Sequence, residues 1–107
     1  MEKQLLVTNR YDKDTLVSFK LVNGDEVIAK IVDETAAEFV VSKPMIVVPS
    51  QQGIGLMQSL FTSDLNKSIH LDKRHVMLHS QTSGELVNHY IQTTTGIEPV
   101  TAGSIIL

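Results

Sequence analysis

Two short stretches of alternating apolar and polar residues, joined by an Asn-Gly pair, constrain the fold of this sequence more than any other feature. In residues 15–22, valine, phenylalanine and leucine occupy every second position, and a strand places such residues on one face of a sheet. Residues 26–32 alternate in the same way. Asn23 and Gly24 both tolerate the positive φ that a tight hairpin turn of the primed type requires. The sequence therefore predicts an antiparallel hairpin.

The middle of the chain predicts further short strands. The apolar run 38–48 is interrupted by Pro44, which cannot donate to a ladder and so indicates a bulge, an edge or a bend. A bent strand at this place would help to close a small barrel. Residues 54–61 have a spacing that suits either a strand or one helical turn. Residues 68–71 and 75–80 have the pattern of two short strands.

One helix and irregular termini complete the predicted domain. After a barrel over about 15–80, apolar side chains recur with helical spacing over about 83–95, and Gly96 can end that helix. The segments before and after these elements show no regular period. We therefore predict a single, mostly β domain over 1–107, with a strongly bent barrel of about five strands and a C-terminal α-helix.

Composition restricts the class of protein. The 107 residues include no cysteine, and the net charge is −3. The lack of cysteine excludes disulfides and thiolate chemistry, and it suits a reducing cytosol. No apolar run approaches the about 18 residues that span a bilayer, and the first residues do not resemble a secretory signal. We therefore expect a cytoplasmic protein that does not enter a membrane. The negative charge argues mildly against a dedicated nucleic-acid binder, which is usually basic.

Lys73, Arg74 and His75 are the best functional candidates. They lie between two predicted strands. Arginine presents a fixed fork of donors that matches phosphate, lysine adds a mobile charge, and histidine can stack on or bond to a base. An ordinary solvated turn between two strands is the competing interpretation, and the sequence leaves both open.

No combination of residues indicates catalysis or a resident metal. His75 and His79 fall on one face of a predicted strand, with His70 nearby, but no cysteine or HExxH spacing accompanies them. Partly exposed strand histidines are the simpler interpretation. The carboxylates of Asp33 and Glu34 have no nucleophile or positioned base beside them in the sequence. We therefore expect no enzymatic activity, no metal and no cofactor.

The hairpin carries a resemblance to a known family. Residues 19–24, Phe-Lys-Leu-Val-Asn-Gly, with Val27 and Ile31 after them, resemble the first motif of the Sm/LSm family. The bacterial Hfq ring has the same Leu-Val-Asn-Gly sequence. Residues 73–76, Lys-Arg-His-Val, lie where these proteins have an Arg-Gly or a Lys-His pair. The whole layout also resembles the Sm-like proteins carried by phages of marine cyanobacteria.

This resemblance implies a fold, an assembly and a set of site residues. It implies a bent barrel of about five strands, of the SH3 type, that pairs edge to edge into a ring of about five to seven identical subunits. Lys73, Arg74 and His75 would face the pore of that ring. Thr35 and Ala36, at the loop of the first motif, would shape a pocket for a base. The sequence departs from the family here, because Thr35 stands where the family has an acidic residue.

The sequence thus predicts a protein without catalytic activity that binds single-stranded RNA or DNA and has a role in RNA or DNA processing. Capture would be electrostatic, through the basic segment that every subunit repeats. The alternative is a protein-interaction or assembly module on the same fold, which the negative net charge and the altered loop favour. Salt dependence separates the two, because binding to phosphates weakens steeply as salt rises.

Overall fold

A computed structural model describes residues 10–51 and 53–106 of the protein. The described chain is mostly β with one C-terminal helix, as the sequence predicted. The prediction of an irregular N-terminus falls largely on residues 1–9, which lie outside the described residues. The elements are β1 (Leu16–Leu21), β2 (Glu26–Glu34), β3 (Glu38–Ser50), β4 (Gly53–Gln58), β5 (Ile69–Asp72), a 3-10 turn (Lys73–His75), β6 (Val76–Gln81) and the helix α1 (Gly84–Ile106).

The strands form one antiparallel sheet in the order β4-β3-β2-β1-β6, with β5 also paired to β3. One edge of β3 pairs with β2. Its other edge pairs with β4 along residues 45–50 and with β5 along residues 38–41. β4 and β5 therefore share one strand position, interrupted by residues 59–68. The six strands fill five positions, and the segment 54–61 that the sequence left open begins as strand β4.

The sheet is not closed by hydrogen bonds within the part of the chain that the structure describes. β4 and β6 stand at the two ends of the strand order and do not pair with each other. The single chain therefore forms an open sheet, in line with the expectation that about five short strands close poorly on their own. Closure requires the first and last strands to meet with matching tilt and stagger, and these two end strands are only six residues long each.

The first hairpin has the predicted position but a different turn. The amide of Leu21 donates to the carbonyl of Asp25 at 2.8 Å, and the amide of Gly24 donates to the carbonyl of Leu21 at 2.9 Å. Within this loop, all of which is described, only Gly24 has positive φ, at 97°. Because Asn23 keeps a negative φ, the connection is a turn followed by a glycine bulge and not the primed turn that the sequence suggested.

β3 is irregular near Pro44, where the sequence predicted a bulge, an edge or a bend. The register of its ladder with β2 shifts there, and Lys43 adopts a φ of 49°. The hydroxyl of Tyr90, from α1, lies 3.2 Å from the carbonyl oxygen of Ser42 and 2.7 Å from that of Lys43. The helix thus supplies a donor to backbone carbonyls beside the irregularity that disrupts the ladder.

Apolar side chains are buried on both faces of the sheet, because alternate residues of β1 point in opposite directions. Leu16 packs with Ile28, Met45 and Tyr90 beneath α1. Val17 belongs instead to the core on the other face. That core consists of Val17, Phe19, Ala29, Ile31, Phe39 and Val41, with Tyr11, Leu21, Ile69, Leu71 and Val76 packed against it.

The helix begins close to its predicted start but ends later than predicted. The amides of Leu86 and Val87 donate to the carbonyl of Ser83 at 3.1 and 3.0 Å, which marks the first turn. The helix then passes Gly96 and reaches Ile106. Glycine permits a helix to end but does not force it to do so. The prediction that the helix ends near residue 95 and that an irregular tail follows is therefore wrong.

Candidate nucleic-acid interface

The structure brings the five predicted site residues together from two separate parts of the chain. The loop between β2 and β3 holds Thr35 and Ala36, and the 3-10 turn holds Lys73, Arg74 and His75. We call these five residues the candidate surface. The two segments are fastened to each other through the backbone, because the amide of Lys73 donates to the carbonyl of Ala37 at 2.9 Å.

The side chain of Lys73 makes contacts within the protein that hold it in place. Its ammonium nitrogen lies 2.9 Å from Oε2 of Glu34, and the side chains of this pair are only 30% and 11% exposed. The same nitrogen lies 4.8 Å from the centre of the Phe39 ring. A cation held by a half-buried carboxylate and an aromatic face is anchored in place. Lys73 therefore ties the 3-10 turn to the end of β2.

Arg74 is the prominent cation of the candidate surface. Its side chain is 85% exposed. Asp72 accepts hydrogen bonds from the guanidinium at 2.7 Å from the terminal nitrogen and at 3.1 and 3.2 Å from Nε. These bonds lower the pKa of Asp72 to about 2 and raise that of Arg74. The carboxylate thus orients the guanidinium while it offsets part of its charge.

His75 and the tip of the β2–β3 loop complete the surface. His75 is exposed, and its carbonyl accepts the amide of Val22 at 2.9 Å. Thr35 shapes the loop, because its hydroxyl accepts the amides of Ala37 and Glu38 at 3.2 and 3.0 Å. Ala36 is exposed and carries no functional group beyond its backbone. The loop therefore offers a small, fixed edge beside the cationic turn.

The surroundings of the candidate surface are more acidic than the sequence indicated. The partnership of Arg74 with Asp72 could have been expected, because the two residues are two positions apart and an aspartate favours the start of a helical turn. That of Lys73 with Glu34 joins residues 39 positions apart, and no local pattern predicts it. The carboxylates in or beside the surface are Asp33, Glu34, Glu38 and Asp72.

The histidines do not assemble into a metal site in the described part of the chain, where no group of three or more His, Asp or Glu side chains is placed to hold an ion. His70 instead pairs with Glu38, with 2.9 Å between Nδ1 and Oε1, and His79 pairs with Tyr11. Over the same described residues, no helix has the length and apolar content of a membrane span.

Comparisons with known proteins do not add a family to this description. No protein-family model matches the sequence, and no curated protein matches it significantly.

Proposed function

We propose that the protein binds single-stranded nucleic acid, RNA or DNA, through the candidate surface, and that it does so as a ring-like homo-oligomer of the Sm-like type without catalysing a reaction. The observation that carries this proposal is the position of Arg74. It is the most exposed cation of a turn that is fastened to a second exposed loop. Such a pairing offers a phosphate-binding fork beside an edge that can contact a base.

The orientation of Arg74 favours the proposal. Asp72 holds the guanidinium through Nε and one terminal nitrogen, which leaves the other terminal nitrogen for a ligand. Arginine held in this way gives up less side-chain entropy on binding than a free one. Because the side chain of Arg74 is 85% exposed, a phosphate can approach the guanidinium from solvent.

The two end strands support an oligomer. β4 and β6 each have one edge without a strand partner among the described residues. Exposed apolar side chains lie on both strands, and unpaired edges tend to pair with another chain. Pairing of β4 with β6 of the next copy is a head-to-tail contact, which closes into a ring when the rotation permits. The exposed apolar residues are Ile54 and Met57 on β4, and Met77 and Leu78 on β6.

The proposal is tested by titrating the protein into labelled single strands of about 12 nucleotides, oligouridylate and oligothymidylate, with fluorescence anisotropy at low salt. We expect saturable binding to single strands and weaker binding to a duplex of equal length. A single-strand affinity no higher than that of an unrelated acidic protein would overturn the proposal.

A protein-interaction or assembly module on the same fold is the second candidate. The specific observation in its favour is that Lys73 and Arg74 of the 3-10 turn each have a carboxylate partner, Glu34 for Lys73 and Asp72 for Arg74. A surface neutralised in this way attracts phosphate less than the sequence suggests. This candidate predicts the same oligomer but no binding to nucleic acid, so the anisotropy titration separates the two.

A further inference from the structure

Three aromatic rings lie together beside the candidate surface. The hydroxyl of Tyr11 and Nδ1 of His79 are 2.7 Å apart. The two ring centres are 5.6 Å apart, and the rings meet edge to face at 76°. Phe39 lies beneath both, with its ring centre 6.4 Å from that of Tyr11 and 5.2 Å from that of His79. We call these three residues the aromatic cluster.

The aromatic cluster is continuous with the candidate surface through two side chains. The backbone amide of Tyr11 donates to Oε1 of Glu34 at 3.3 Å. The other oxygen of Glu34 accepts from the ammonium group of Lys73 at 2.9 Å. Lys73 in turn lies over the ring of Phe39. A single carboxylate therefore joins the segment that carries Tyr11 to the turn that carries Arg74.

The members of the cluster differ in their access to solvent. Phe39 is 1% exposed, and the other two rings pack on it. His79 is exposed, and Tyr11 is partly exposed. Burial and the nearby Glu34 raise the pKa of Tyr11. The hydrogen bond with Tyr11 occupies Nδ1 of His79, with its direction set by the tautomer of the histidine, and leaves Nε2 as the second hydrogen-bonding group of the ring.

We propose that Tyr11 and His79 form a platform for one unpaired nucleobase of the bound strand, next to the phosphate held by Arg74. This inference rests on the proposed function and extends it to a base-contacting site. Every base has a face that can stack on an aromatic ring, so such a platform tolerates many sequences. Nε2 of His79 adds a second hydrogen-bonding group for a partner on a base or sugar.

The test must separate a ligand contact from a structural role, because Tyr11 also packs against the core. Tyr11→Leu keeps an apolar cover over Phe39 but removes the aromatic face. His79→Gln keeps a hydrogen-bonding group at an exposed position and removes the ring. Phe61→Leu is the matched control, because Phe61 is 70% exposed but lies outside the cluster. Thermal unfolding of each variant verifies that it is folded at the temperature of the assay.

The experiment combines affinity with cross-linking. Single-stranded RNA that contains 5-iodouridine is bound, irradiated and mapped by peptide mass spectrometry, and the affinity of each variant is measured by anisotropy. We expect cross-links on Tyr11 or His79, affinity about 10-fold lower for Tyr11→Leu and His79→Gln, and unchanged affinity for Phe61→Leu. If the wild-type protein binds but cross-links elsewhere and both variants bind equally well, the platform is wrong and the proposed function stands. If the wild-type protein does not bind, both are wrong.

Discussion

At the scale of single residues, the two cations of the 3-10 turn have different surroundings and different expected roles. Lys73 is mostly buried against Glu34 and Phe39, whereas Arg74 is 85% exposed. Both were predicted to contact phosphate. The geometry favours this role for Arg74 and assigns Lys73 the task of holding the turn in place. Sequence alone could not distinguish them, because the partner of Lys73 comes from a distant strand.

Substitution should separate these roles. Lys73→Met keeps the aliphatic stem but removes the charge that faces Glu34, and we expect it to lower the free energy of unfolding by about 1–2 kcal/mol. Arg74→Ala removes an exposed side chain and should leave stability almost unchanged. Urea unfolding followed by circular dichroism measures both. Equal stabilities of the two variants would contradict the structural role of Lys73.

Asp72 provides a second prediction at this scale. In the wild-type protein, Oδ1 of Asp72 accepts the backbone amide of Arg74 at 2.9 Å. Asp72→Asn keeps an oxygen that can accept this amide but removes the charge that offsets the guanidinium. We expect the affinity for single-stranded oligonucleotides to rise several-fold, which is about the gain in affinity that one additional phosphate contact gives. Asp64→Asn, in the loop after β4, is the control for net charge. A similar gain from both substitutions would show that the effect is not local to Arg74.

At the scale of elements, the first hairpin depends on one backbone position. Gly24 has a φ of 97°, and a Cβ added there would meet no atom within 4 Å. Substitution therefore acts through backbone strain and not through a clash. Gly24→Val should reduce the free energy of unfolding by about 1–3 kcal/mol, because a β-branched residue resists positive φ.

Gly84→Ala is the matched control for this prediction. Gly84 also has open space around its added Cβ, but it lies at the start of α1 without a positive φ. We expect the control to be neutral or slightly stabilising. Thermal unfolding measures the melting temperature of both variants. An unchanged melting temperature for Gly24→Val would contradict the strained turn.

Elements with strong local patterns could be predicted, and those that depend on distant contacts could not. The alternation in β1 and β2 and the irregularity near Pro44 follow from patterns in adjacent residues, and the structure confirms them. The state of residues 54–61 stayed open because a short apolar run suits a strand or a helical turn equally well. Strand β4 forms there because β3 offers an unpaired edge. The candidate site residues could be chosen from the sequence. Of their carboxylate partners, Asp72 could be predicted because it is close to Arg74 in the sequence, whereas Glu34 could not because it is 39 positions from Lys73.

At the scale of the whole molecule, the open sheet predicts self-association. The chain mass is 11.8 kDa, and light scattering at tens of micromolar should report several times this value. Met57→Lys and Leu78→Lys place a charge on each unpaired edge strand and should lower the observed mass. Val22→Lys is the control, since Val22 is 55% exposed in the hairpin and not on an end strand. A wild-type mass of one chain would contradict the ring.

The salt dependence of oligonucleotide binding, compared between the wild-type protein and Arg74→Ala, tests the central claim most directly. The slope of log affinity against log salt reflects how many phosphates the protein neutralises, and it becomes shallower by about one unit for each phosphate that is no longer bound. We predict a steep slope for the wild-type protein and a shallower slope with weaker binding for Arg74→Ala, while the oligomer mass is unchanged. Equal affinity and equal slope for the two proteins would contradict the role of Arg74 and of the candidate surface.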